Sequence, residues 1–119
     1  MQNHPSSPCV LLVEDEALIA MVLEDRLLAS GYRVITAATL PSAMEMAENT
    51  GIDAAVLDIE LQGDRSFPVA NLLRRRGIPF VFSSSCDARE VPKDLRNEPF
   101  MQKPYNTAAL LATLASLSH

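Results

Sequence analysis

A chain of 119 residues is long enough for one compact domain and too short for two. Its 48% hydrophobic and 21% charged residues are the composition of a folded globular chain and exclude a disordered one. Fifteen Asp and Glu against ten Lys and Arg give a formal charge of −5, which argues against binding built on neutralising nucleic-acid phosphates.

Residues 1–8 carry neither the basic nor the apolar part of a secretory signal, and are expected to form a flexible segment ahead of a domain over residues 9–118. Val10–Val13 is an apolar run of strand length that stops abruptly at Glu14, Asp15 and Glu16. Ile19, Val22, Leu23 and Leu27 then recur at helical spacing, and Ser30-Gly31 marks the helix end. Arg33–Ala37 reads as a second strand. Leu40, Ala43, Met44 and Ala47 make a second amphipathic helix that tolerates Pro41 near its first turn and closes at Gly51. Asp53 and Asp58 bracket a run apolar on both faces, the pattern of a buried parallel strand.

A third helix is expected from Pro68, with Val69, Leu72 and Leu73 facing inward. Arg74, Arg75 and Arg76 crowd its last turn, where cations suit the negative helix end; a basic docking patch is the other reading. Ile78–Phe82 is a fourth strand and Glu98–Gln102 a weaker fifth. Between them, Asp87–Pro99 holds Pro92 and Pro99 and only Val91 and Leu95 as aliphatic anchors, so a short, broken or mobile fourth helix is expected. Asn106-Thr107 opens a last helix carrying Leu110, Leu111, Leu114 and Leu117. The longest apolar runs, such as Cys9–Val13 and Ala108–Ala112, are five residues, far short of a membrane span. Cys9 and Cys86 make no disulfide framework, so reduced structural thiols in a cytoplasmic protein are expected.

Strands alternating with helices in one short domain imply an α/β fold with a parallel sheet covered on both faces. The arrangement expected is a flavodoxin-like (βα)5 three-layer sandwich of strand order 2-1-3-4-5. In such sheets the chemistry sits at the carboxyl ends of the strands. Strand one ends at Glu14-Asp15, strand three at Asp58, strand four at Ser84 and strand five at Lys103-Pro104. Each has an ordinary explanation alone: Asp15 as a helix N-cap, Asp58 capping a loop, Lys103 as a surface lysine. Together they put three carboxylates, a hydroxyl and an ammonium at one sheet edge. Carboxylates so close resist joint ionisation without a cation, and all-oxygen ligands favour Mg²⁺ over Ca²⁺.

These residues resemble the receiver domains of two-component response regulators, over about residues 8 to 118. The acidic pair Glu14-Asp15, Asp58 ending strand three, a hydroxyl ending strand four and Lys103-Pro104 occur in the family's order. The runs Asp58–Leu61, Ser66–Ala70 and Gly77–Phe82 resemble a stand-alone subgroup named for a Phe-Ala-Thr-Gly motif after strand four. Ser83-Ser84-Ser85 replaces that Ala-Thr-Gly, Gln62-Gly63 stands where a proline is usual, and Phe100 takes the switch-aromatic position without a hydroxyl.

The resemblance implies phosphoryl transfer from the phosphohistidine of a histidine kinase or phosphotransfer protein to Asp58. Glu14, Asp15, Asp58 and the Glu60 backbone carbonyl would hold Mg²⁺, while Lys103 and Ser84 would each meet a phosphoryl oxygen. The Glu60 side chain either faces solvent or biases the attack of water. A cis Lys103-Pro104 peptide and a Ser84/Phe100 switch are implied as well. The readout would move the Ser84–Cys86 loop and the surface from Asp87 to Tyr105. A single-domain regulator, monomeric or weakly dimeric, would then act by contact with a downstream protein, free of nucleic acid and membrane. The rival is a pseudo-receiver that docks proteins without phosphorylation. An aspartate-nucleophile phosphatase lacks its Asp-x-Asp run after strand one, and dinucleotide binding lacks a glycine-rich turn there.

Overall fold

The computed structural model describes residues 7–49, 51–104 and 106–117. Strands β1 (Cys9–Val13), β2 (Arg33–Ala37), β3 (Ala54–Asp58), β4 (Phe80–Ser84) and β5 (Phe100–Gln102) form one sheet. Its order is β2-β1-β3-β4-β5 and every neighbouring pair is parallel, as the alternation of elements requires. The helices are α1 (Ala17–Ala29), α2 (Leu40–Asn49), α3 (Phe67–Arg75) and α4 (Thr107–Leu117).

Strand alternation divides the core between two faces. From β1, Leu11 and Val13 point to a cluster with Ala43, Ala47, Val69 and Leu73 of α2 and α3. Val10 and Leu12 point the other way, to Leu23 and Leu27 of α1 and Leu110 and Leu114 of α4. Burial on both faces is why β1, β3 and β4 read as unbroken apolar runs. No helix among the described residues is long and apolar enough to cross a membrane.

Two strands start later than the residue pattern suggests. Strand β4 begins at Phe80 rather than Ile78, and β5 at Phe100 rather than Glu98. Pro79 and Pro99 each immediately precede the strand and have no N–H to donate. Their carbonyls still accept, from Ala55 and Phe82 respectively. Val22, expected on the inward stripe of α1, is instead 54% exposed, because Ile19, Leu23 and Leu27 already fill the arc that faces the sheet. Glu16, not Asp15, occupies the N-cap of α1, and its side chain makes no capping bond.

The fourth crossover contains no α-helix. Two single turns of 3-10 helix, Ala88–Glu90 and Lys93–Leu95, stand on either side of Pro92. Val91 and Leu95 are buried, and arginine side chains hold the connecting backbone. Arg96 donates to the Val91 and Arg89 carbonyls, and Arg74 donates to the Asp94 carbonyl at 2.7 Å. Arg74, in the last turn of α3, and Arg76, at its C-cap, thus serve different segments, since Arg76 donates to the Ala47 carbonyl near the end of α2.

An antiparallel hairpin absent from the sequence expectation pairs Glu60–Leu61 with Asp64–Arg65 between β3 and α3. Its turn is Gln62-Gly63, both at positive φ. Of the expected flexible segment over residues 1–8, residues 1–6 lie outside the described residues. Ser7 and Pro8 offer their carbonyls to the Arg33 side chain and backbone N–H.

Candidate phosphoacceptor and metal site

Parallel pairing of β1 with β3 aligns Val13 with Leu57, so the next residues, Glu14 and Asp58, emerge side by side at the carboxyl edge. The Glu14 N–H donates to the Ala37 carbonyl and prolongs the ladder past β1 by one residue. At the other side of β4, the Lys103 N–H donates to the Ser84 carbonyl at 2.8 Å and fixes where the lysine leaves β5. The following Lys103-Pro104 peptide is cis. Backbone bonds thus fix where Glu14 and Lys103 leave the sheet, and the side chains of Glu14, Asp58 and Lys103 meet at its edge.

Lys103 Nζ lies 3.0 Å from Glu14 Oε1 and 3.3 Å from Asp58 Oδ2. Both carboxylates are buried, with side chains 2% and 9% exposed. Glu14 Oε2 accepts the Glu16 N–H and Asp58 Oδ1 accepts the Glu60 N–H. Asp15 Oδ2 accepts the Gln62 N–H at 3.0 Å, which ties the hairpin turn to the acidic pair. Carboxylate oxygens of Glu14, Asp15 and Asp58 lie within 4.8 Å of one another.

Burial pushes the Asp58 carboxyl up to about 7, the charge of Glu14 adds to the rise, and Lys103 pulls against it. Burial also works against the Lys103 ammonium, but its bond to Glu14 and the charges of Asp58 and Glu14 prevail and raise its pKa. One ammonium thus pairs with two of the three acids, Glu14 and Asp58. A clustered all-oxygen donor set with excess negative charge fits a hard divalent cation.

The hydroxyl of Ser84, the last residue of β4, is buried and engages Cys86: it donates to Sγ at 3.2 Å and accepts the Cys86 N–H at 3.1 Å. Phe100 is half-buried and packs against the core beside β4. The Glu60 side chain is largely exposed and lies 3.8 Å from Arg65, which also meets Glu90 of the fourth crossover at 3.0 Å. Sequence reasoning missed this Arg65 bridge and the Ser84–Cys86 pair. A glycine after Gln62 was the available signal for the hairpin that presents Arg65; the serine–cysteine contact had none.

A groove of about 630 Å³ borders the site, lined by Leu18, Ile19, Val22 and Leu23 of α1 with Lys103 and Pro104. Leu18, Met21, Val22 and Leu28 give α1 a second, exposed apolar face.

Comparison with known proteins agrees with this layout. The chain is 34% identical to the transcriptional regulatory protein PrrA of Mycobacterium leprae, over 98% of its own length and 52% of that protein. It is 30% identical to the sensory transduction protein RegX3 of Mycolicibacterium smegmatis, over 91% and 49%, so it spans about half the length of these curated relatives. The solution structure of SdrG from Sphingomonas melonis superposes with a TM-score of 0.81 at 40% identity, covering 96% of this chain and 98% of that one. A match to the response regulator receiver domain extends over residues 10–115, and the chain belongs to that family.

Proposed function

We propose that this receiver domain accepts a phosphoryl group on Asp58 from a histidine kinase or phosphotransfer protein and signals by protein contact in the cytoplasm. The observation that carries the reading is the meeting of Glu14, Asp15 and Asp58 within 4.8 Å, with the Lys103 ammonium bonded to Glu14 and Asp58. Transfer of a phosphoryl group asks the protein mainly to place a nucleophile and to neutralise charge spreading over three oxygens. Asp58 supplies the nucleophilic oxygen. Glu14, Asp15 and Asp58, with the Glu60 carbonyl, would hold Mg²⁺. When bound, that ion neutralises the acids and withdraws charge from one phosphoryl oxygen.

Lys103 is a compact point charge beside Asp58 and is placed to pair with a second oxygen once the acids have another counter-ion. Ser84 carries a hydroxyl at the neighbouring strand end, suited to a third oxygen. A donor protein reaching Asp58 must cover the adjoining rim, and the apolar face of α1 gives it a surface to bury. The output surface in this reading is the Ser84–Cys86 loop with the fourth crossover, acting on a downstream protein from a monomer or weak dimer.

Labelling with a small-molecule phosphodonor in the presence of Mg²⁺ tests the reading. Wild type is expected to acquire an acid-stable, base-labile phosphoryl group, and Asp58→Ala to acquire none. Persistent labelling of Asp58→Ala would refute the assignment. The engaged Ser84 hydroxyl is the one observation favouring a docking module without phosphorylation, for which wild type would stay unlabelled at saturating Mg²⁺.

A further inference from the structure

The Ser84 hydroxyl has one proton to give, and here it gives it to Cys86 Sγ. The same oxygen accepts the Cys86 N–H, so among the described residues both hydrogen bonds of the hydroxyl go to a residue two positions on. The ring closed in this way is buried at its serine and half-buried at its cysteine, which packs against the core cluster under β4. Rotation of the Ser84 side chain toward a phosphoryl oxygen would break the bond to sulfur.

We propose that Cys86 is a positioning residue for phosphoryl transfer: its sulfur holds the Ser84 proton away from the phosphoacceptor site until an anion arrives to take it. This rests on the reading of Asp58 as phosphoacceptor and deepens it. The chemistry suits a latch of this kind. A thiol sulfur is a weak acceptor, whereas a phosphoryl oxygen carries charge and makes a bond roughly twice as strong as a neutral one. The incoming group therefore wins the proton, and the resting chain pays a small fixed cost for each transfer. The backbone N–H of Cys86 is unaffected by side-chain exchange, so the sulfur alone can be tested.

Affinity for beryllofluoride at saturating Mg²⁺ is the measurement, made on wild type, Cys86→Ala, Cys86→Ser and each of these with Ser84→Ala. Removing the sulfur frees the proton, and Cys86→Ala is expected to bind about threefold more tightly, the scale of one net hydrogen bond. Cys86→Ser restores an acceptor, so its affinity should return to the wild-type value or fall below it. With Ser84→Ala no hydroxyl remains to hold, and both Cys86 variants should then match Ser84→Ala alone. Equal shifts in Cys86→Ala and Cys86→Ser would mean a packing role and overturn the proposal. So would a Cys86→Ala gain that persists in the Ser84→Ala background. Wild type that binds no beryllofluoride would instead overturn the phosphoacceptor reading on which this rests.

Discussion

Lys103 holds its ammonium 3.3 Å from the Asp58 carboxylate across 45 positions of sequence, and does so while also bonded to Glu14 at 3.0 Å. The lysine therefore already balances buried charge within the fold itself. Removing one member of a buried charge group costs more than the group contributes, because its partners keep their desolvation without their counter-ion. In Lys103→Ala the acids can protonate or recruit a divalent ion, which softens the loss. Urea unfolding of Lys103→Ala should show stability lower by about 1–3 kcal/mol without Mg²⁺, with most of it recovered at saturating Mg²⁺. Beryllofluoride should no longer be retained, since the ammonium that would pair with one of its fluorides is gone. A variant as stable as wild type without Mg²⁺ would contradict the ion-pair geometry.

The acidic cluster also sets a pH dependence. With its carboxyl raised to about 7, Asp58 binds a proton more tightly folded than unfolded. The resulting stabilisation is full below the ordinary value of 3.8 and is lost as pH rises through about 7. Mg²⁺ must displace that proton, so its affinity should rise with pH and level off above the Asp58 value. Titrations at about pH 5.5 and about pH 8 should differ by roughly tenfold or more, with proton release at the lower pH. The thermal midpoint of the metal-free chain should move the opposite way and fall as pH rises. Asp58→Asn, with nothing to titrate there, should flatten both trends. Equal Mg²⁺ affinity at the two pH values would show that Asp58 is ionised throughout.

Periodicity made the sheet legible. The runs in β1, β3 and β4 are apolar on both faces because helices cover both sides, and from that the strand order follows with little choice. Placement of Glu14, Asp58, Ser84 and Lys103 at one edge was readable for the same reason, since each follows or ends a run. Less legible was whatever depends on side chains reaching across loops. Nothing in the order of residues says that Arg65 turns to Glu90, or that the Ser84 hydroxyl bends back to Cys86. Val22 was misplaced because a period of 3.6 leaves flanking positions undecided until the sheet selects one arc of α1. The fourth crossover was readable only as a failed helix; its two 3-10 turns and arginine staples depend on α3 and on the Arg96 guanidinium.

The Gln62-Gly63 turn joins local strain to the site. Gly63 sits at φ +90°, with open space where a Cβ would be, so the cost of a side chain is conformational rather than steric crowding. Gly63→Ala should lower stability by about 1 kcal/mol in denaturant unfolding. The Gln62 N–H also fixes Asp15 Oδ2, so disturbing the turn should weaken Mg²⁺ binding as well. Gln62→Asn provides the contrast. Gln62 has φ +50°, a conformation asparagine adopts more readily, so this change should leave both stability and Mg²⁺ affinity at or above wild type. Loss of stability in Gly63→Ala with unchanged Mg²⁺ affinity would uncouple the hairpin from the acidic pair.

Helix α1 is apolar on two opposite sides, and only one of them is used by the fold. Leu23 and Leu27 are buried against the sheet, whereas Leu18 is 77% exposed and Val22 and Met21 stand out beside it. A folded domain gains nothing from that second face, so replacing it should scarcely affect stability. The double variant Leu18→Glu, Val22→Glu should unfold within about 1 kcal/mol of wild type, since neither side chain fills the core. Labelling by a small-molecule phosphodonor should also be unchanged, because that reagent would need Asp58, Lys103, Ser84 and the cation site but no docking surface. Transfer from a phosphohistidine protein is the contrasting case, because under the proposed function such a donor would bury the groove beside Lys103. Its rate should fall by about tenfold or more, as when central apolar contacts of an interface are replaced by charge. Equal loss with both donors would place the damage in the site itself, and no loss with either would leave the apolar face of α1 outside the donor contact.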